Sequence, residues 1–129
     1  MNICIVGNGA IAKVHAQAVI KTEGVSICGI CDVDKSRADS GAAEYGASAY
    51  YDYADVVADK NIDGIHICTP HYLHYEMIKV AADAGKKIVC EKPLVMKQGE
   101  FDALLSEYAD ADILPVLQNR TNRSVCEMK

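Results

Sequence analysis

Six short apolar runs, separated by stretches with helical spacing, organise this chain of 129 residues. The runs cover residues 2–6, 25–31, 48–51, 63–68, 87–90 and 113–117, and most show little polar alternation. A strand without a polar face is one covered on both sides, as in a parallel sheet between two layers of helix. The intervening segments read as helices over 10–22, 35–45, about 53–59, 73–84 and 98–110. Asp34 is placed to cap the second helix and Gly46 to stop it. Inward faces are expected from Ile11, Val14 and Ala18 in the first helix and from Leu73, Met77, Val80, Ala81 and Ala84 in the fourth. Phe101, Leu104, Leu105 and Tyr108 are expected to do the same in the fifth. Strand–helix alternation through six strands predicts an α/β domain with a doubly wound, six-stranded parallel sheet.

Composition narrows the function classes. The formal charge is −5 and no Lys/Arg block is present, which argues against nucleic acid and anionic membranes as partners. No uncharged apolar stretch reaches the ~18 residues of a membrane span. "MNICIV" runs directly into glycines, with no basic region ahead of an apolar signal core, so a cytoplasmic protein is expected. The six cysteines, Cys4, Cys28, Cys31, Cys68, Cys90 and Cys126, mostly lie inside apolar runs, where a free thiol behaves as a small hydrophobe. Cys28 and Cys31 have the spacing of half a zinc or redox motif. Residues three apart in an extended strand face opposite sides, however, and no second pair exists, so buried thiols and no metal site are expected.

The segment "IVGNGAIAKVHA" (5–16) joins the first strand to the first helix. A dinucleotide loop needs one glycine for a tight turn, a second where backbone approaches a pyrophosphate, and a small third residue for helix–strand packing. Gly7, Gly9 and Ala12 fill these positions, and the helix start they form offers N–H groups and a favourable dipole to an anion. About 20 residues further on, Asp32 closes the second strand, where a carboxylate accepts hydrogen bonds from ribose hydroxyls. The alternative for Asp32 is a solvated turn residue. A carboxylate there repels a 2′-phosphate and so favours NAD, while nearby Lys35 and Arg37 leave NADP open.

Ligands of open α/β sheets bind outside the carboxyl ends of the strands. Two segments lie there, "ICTPHYLH" (67–74) and "VCEKPL" (89–94). His71 and His74 form an H-x-x-H pair with no evident third ligand, so ordinary helix-start histidines are expected, and His66 within the strand reads as a satisfied, partly buried side chain. After the next strand come Glu91, Lys92 and Pro93, the last fixing the turn. Lys92 could polarise a substrate hydroxyl or carbonyl or help move a proton; its alternative is a salt bridge with Glu91 or another acid.

Taken together, "GNGAIAKVHAQA", "CDVD", "IDGIHICTPHYLH" and "CEKPL" resemble the N-terminal domain of the glucose–fructose oxidoreductase/inositol dehydrogenase (Gfo/Idh/MocA) family, and the likeness extends into "LQNRTN" (117–122). The resemblance implies a Rossmann domain that binds NAD(P), followed in the family by an α+β domain that supplies much of the substrate pocket. Substrates are commonly sugars, cyclitols and other polyols, oxidised or reduced by hydride transfer. Carried over, Gly7, Asn8, Gly9, Ala10 and Ile11 would contact the pyrophosphate and Asp32 the adenosine ribose. Thr69, Pro70 and His74 would line the cofactor cleft, and Glu91 would lie near the nicotinamide ribose. Lys92 would be the catalytic lysine, with Asn119 and Arg120 near the nicotinamide.

The expected organisation is a dinucleotide-binding domain over 1–120, with 121–129 opening a helix toward a second domain that the chain lacks. On this reading NAD is the cofactor, and a sugar or polyol is a substrate only when the second domain is supplied. A naturally short, non-catalytic dinucleotide-binding or sensing module is the alternative. Apolar surface left without its partner domain is expected to favour homo-oligomers.

Overall fold

The computed structural model describes residues 1–117. Its elements in chain order are β1 (Asn2–Val6), α1 (Ala10–Ile20), β2 (Ser26–Cys31), α2 (Lys35–Tyr45), β3 (Ser48–Tyr50), α3 (Tyr53–Ala58), β4 (Gly64–Ile67), α4 (His74–Asp83), β5 (Lys87–Cys90), α5 (Gln98–Glu107) and β6 (Ile113–Pro115), with one 3-10 turn at His71–Leu73. All strand pairs are parallel, in the order β3-β2-β1-β4-β5-β6. Strand order therefore reverses between β1 and β4, which opens a crevice at their carboxyl ends. The fold is the expected doubly wound α/β sheet. The predicted helix at 121–129 and the residues Asn119, Arg120 and Cys126 lie outside the described residues.

Two cores sandwich the sheet. On one face Cys4, Val6, Ile65, Ile67, Ile88 and Cys90 pack under α3, α4 and α5 through Val56, Ile78, Ala81 and Leu104. On the other, Ile5 and Ile30 pack under α1 and α2 through Ala12, Ala16 and Ala42. The fully buried isoleucines each contribute about 1.5–3 kcal/mol of burial. Beyond α1 the described residues leave this second face open over β5 and β6, where Leu114 is 63% exposed.

Three helix faces differ from expectation. Helix α1 buries Ala12, His15, Ala16 and Val19, while Val14 is exposed. Alanine at 12 and 16 lets α1 approach the sheet closely, and that sets the rotation of the helix. Helix α4 turns His74, Ile78 and Ala81 inward and leaves Leu73 and Val80 exposed. In α5 only Leu104 is fully buried; Phe101 and Leu105 face outward.

Cys28 and Cys31 share one side of the sheet, contrary to the expectation from their spacing. The β1–β2 register slips between Ile3 and Cys4, so that Ile3 pairs with Ile27 but Cys4 with Gly29. The extra residue at this irregularity, Cys28, is turned to the same side as Cys31, and both pack on the α3/α4/α5 side. The five cysteines among the described residues are free thiols. Burial pushes Cys31, Cys68 and Cys90 up to about 12, with smaller contributions from nearby acidic groups, so they stay protonated and inert.

Candidate functional site: the cleft at the strand ends

The glycine loop is shaped by two different constraints. Gly7 has φ +90°, and a Cβ there would sit 2.8 Å from the Cys68 carbonyl oxygen. The loop thus lies against the end of β4 at a distance only glycine permits. Gly9 has no atom within 4 Å of its Cβ position, so the backbone there is open. Gly9 is also the N-cap of α1, no side chain caps it, and no acidic residue occupies the first turn. The helix begins with unsatisfied N–H groups at Gly9's open side, an arrangement suited to an anion. Ala10 is exposed and Ile11 half-buried at this start, while Ala12 is buried against the sheet.

Asp32 holds the loop from the end of β2. One carboxylate oxygen accepts the Asn8 N–H at 2.8 Å, and the other accepts the Asp34 N–H at 2.9 Å. The Asn8 side chain in turn donates to the Arg37 carbonyl at 2.8 Å. Each carboxylate oxygen retains a lone pair for a further donor. Asp34 caps α2 through the Arg37 N–H, and Gly46 ends that helix with φ +63°, as the sequence predicts. Lys35 lies over the Tyr51 ring, 5.4 Å from its centroid, and Arg37 lines the cleft.

Gly7, Gly9, Asp32, Thr69 and Pro70 border one cleft of about 620 Å³. Its remaining walls are largely apolar and include Val33, Tyr53, Tyr72, Leu73 and Met77. Val33 is 93% and Tyr72 74% exposed, so this wall presents apolar surface to solvent. Sequence reasoning missed this wall. The available signal was an apolar residue directly after a strand-ending acid, and a Tyr-Leu pair in a segment otherwise read as the start of an inward helix face.

His74 lies behind the cleft and does not line it. It is fully buried, and its ring nitrogens meet the carbonyl oxygens of Pro93 at 2.8 Å and Thr69 at 2.9 Å. It therefore fastens the end of β4 to the turn after β5. His71, by contrast, is exposed.

At the end of β5, Glu91 and Lys92 separate sharply. Lys92 is exposed, has no acid within salt-bridge distance among the described residues, and joins Pro93 through a cis peptide bond. The expected alternative, an ion pair with Glu91, is absent because Glu91 turns inward. Its Oε1 meets His15 Nε2 at 2.9 Å, and its Oε2 accepts the Lys92 N–H at 3.1 Å. The other nitrogen of His15, Nδ1, lies 3.0 Å from His66 Nδ1. His66 is satisfied and half-buried, as expected; burial first, and the neighbouring His15 second, lower its pKa to about 4. His15 was missed. Its spacing from Ala12, Ala16 and Val19 was the available signal, because i, i+3, i+4 and i+7 define a single helix face.

This fold and this loop define a dinucleotide-binding domain of the Rossmann class. The chain belongs to the GFO_IDH_MocA oxidoreductase family, whose NAD-binding Rossmann fold model matches residues 1–116. Among relatives, the uncharacterized oxidoreductase YrbE of Bacillus subtilis is 41% identical over 106 residues, covering 79% of this chain and 30% of that protein. Myo-inositol 2-dehydrogenase of Thermotoga maritima is 29% identical over 115 residues, covering 88% and 34%. Of solved structures, the WlbA dehydrogenase of Bordetella pertussis in complex with NADH and UDP-GlcNAcA superposes with a TM-score of 0.91 at 27% identity, covering 99% of this chain and 40% of that one. Myo-inositol 2-dehydrogenase of Lactobacillus plantarum gives 0.86 at 28%, covering 96% and 38%. The chain thus spans about a third of the length of the curated relatives it matches. No helix among the described residues is long and apolar enough to cross a membrane.

Proposed function

We propose that this chain is the cofactor-binding part of an NAD-dependent dehydrogenase acting on a sugar or polyol CH–OH group. The observation that carries the reading is the meeting of open backbone at Gly9, an uncapped helix start and Asp32 in one cleft with an uncovered apolar wall. Pyrophosphate oxygens fit the N–H groups from Gly9 to Ile11, with Gly7 and Asn8 shaping the loop. Ribose hydroxyls fit the free lone pairs of Asp32, and the apolar wall suits an adenine ring. With Lys35 drawn to Tyr51 and a carboxylate at the ribose position, NAD fits better than NADP.

NAD, when bound, supplies a hydride acceptor at the nicotinamide. The crevice runs from β2 across the switch point toward β4 and β5, which brings the nicotinamide half toward Thr69, Pro70, Glu91 and Lys92. Lys92 Nζ, free of an acid partner among the described residues, is suited to hydrogen-bond a substrate hydroxyl and help carry its proton as the C–H bond breaks. His74 holds the two loops that flank this region.

Residues 1–120 are proposed as the dinucleotide domain, with the other catalytic groups and the sugar or polyol pocket supplied by a further domain. The inositol dehydrogenases among the relatives support the substrate class. A cytoplasmic setting is part of the proposal, and the face that the described residues leave open over β5 and β6 supports self-association of the isolated chain. Titration with NADH tests the reading: nicotinamide fluorescence is expected to rise and saturate at one equivalent. A folded chain that leaves the fluorescence unchanged overturns it.

A further inference from the structure

We infer that His15 is a positioning residue for the Glu91–Lys92 turn, and that His66 sets the proton arrangement through which it acts. The inference rests on the proposed nicotinamide side at that turn. His15 sits on α1, one turn beyond the glycine loop, and is 6% exposed. Its Nε2 is 2.9 Å from Glu91 Oε1, in a region where Glu91 is itself only 8% exposed. A buried carboxylate oxygen needs a donor, so the proton belongs on His15 Nε2.

That assignment fixes the next bond. With a single ring proton on Nε2, His15 presents a bare Nδ1 to His66 Nδ1, 3.0 Å away. Two bare nitrogens would repel, so His66 carries the proton and donates it. Burial keeps His66 neutral at ordinary pH, which suits a donor of this kind. The chain of contacts then reads His66 Nδ1–H to His15 Nδ1, His15 Nε2–H to Glu91 Oε1, and Lys92 N–H to Glu91 Oε2.

Its effect is to tie three elements together. Helix α1 begins at the glycine loop, β4 contributes His66, and the turn after β5 carries Glu91 and Lys92. With its carboxylate gripped from both oxygens, Glu91 bends back over its own turn and holds the Lys92 backbone in one orientation. The helix that meets the pyrophosphate thereby sets the turn that carries the lysine. Without His15, the Glu91 carboxylate would lose its buried partner and turn outward or toward Lys92.

Two measurements on the 129-residue chain test this. In ¹⁵N-labelled protein without ligand, long-range imidazole couplings report which nitrogen carries the proton. The inference requires His15 protonated on Nε2 and His66 on Nδ1; His15 bare at Nε2, or His66 bare at Nδ1, overturns it. Binding supplies the second test. His15→Leu is expected to weaken NADH about tenfold, as for a lost charge-assisted bond, and to leave ADP-ribose, which lacks the nicotinamide, within about twofold. His15→Gln, which keeps a donor near the Nε2 position, is expected to restore most of the loss. Equal weakening of both ligands, or of neither, or no rescue by Gln, overturns the positioning role. If the wild-type chain binds neither ligand, the NAD reading fails, while the imidazole assignments still decide the proton arrangement. Those assignments likewise decide it if His15→Leu does not fold.

Discussion

The Asn8 amide donates to Asp32 Oδ2 at 2.8 Å, so the glycine loop is fastened to the end of β2 by the same carboxylate proposed to receive the ribose. Asp32 therefore holds the loop and, in the proposed function, binds the ribose as well. Asp32→Ala is expected to lower stability by about 1–3 kcal/mol through the loss of two hydrogen bonds to a charged acceptor. NAD affinity should fall by about tenfold or more beyond that, with NADP gaining relative to NAD. Urea unfolding and calorimetry separate the effects. Unchanged NAD affinity in a folded variant would remove Asp32 from the binding site.

The two glycines of the loop should respond oppositely. Gly7→Ala adds a methyl against the Cys68 carbonyl at positive φ, and is expected to cost about 2–4 kcal/mol in thermal or urea unfolding. Gly9→Ala meets open space and should leave stability within about 0.5 kcal/mol. Its methyl would stand where the pyrophosphate is proposed to approach, so NAD binding should weaken although the fold does not.

Stability should depend on pH through His66. In the fold it takes up a second proton only near pH 4, against 6.5 for the ordinary side chain. Between those values the unfolded chain binds a proton that the folded chain refuses. The contribution is complete above about pH 6.5 and is lost as pH falls toward 4, on the order of 3 kcal/mol in all. Unfolding midpoints measured across this range should decline in the wild type and decline less in His66→Gln.

Much of this fold was legible because both-sided burial writes itself into short apolar strands such as "NICIV" and "GIHI". Helix boundaries followed from Asp34 and Gly46, whose capping chemistry is local. Helix rotation was not legible. Choosing Ile11 and Val14 over Ala12 and His15 favours hydrophobicity, whereas close packing against a sheet selects small residues, and a histidine can be buried when two partners satisfy it. The partners of His15 come from β4 and the turn after β5, 51 and 76 residues away, beyond the reach of any local pattern. The slip at Cys28 is hidden for the same reason: it belongs to the pairing of two strands, not to either one alone.

Buried Lys86 gives a test of the scaffold away from the cleft. Its Nζ donates to the carbonyls of Asp59 and Ile62, each at 2.7 Å, and so joins the end of α3 to the entry of β4. Lys86→Met keeps the aliphatic stem but removes this donor from both carbonyls, leaving Asp59 O with the Ile62 N–H alone. A loss of about 2–3 kcal/mol is expected by urea unfolding, with NAD affinity unchanged in the folded fraction.

The cleft beside Gly9 and Asp32 is the proposed NAD site. Isothermal calorimetry of the purified chain with NAD and, separately, NADP tests it most directly. One NAD site per chain is predicted, with NADP at least about tenfold weaker because its 2′-phosphate meets the Asp32 carboxylate. A folded chain that takes up no NAD, or that prefers NADP, would contradict the account.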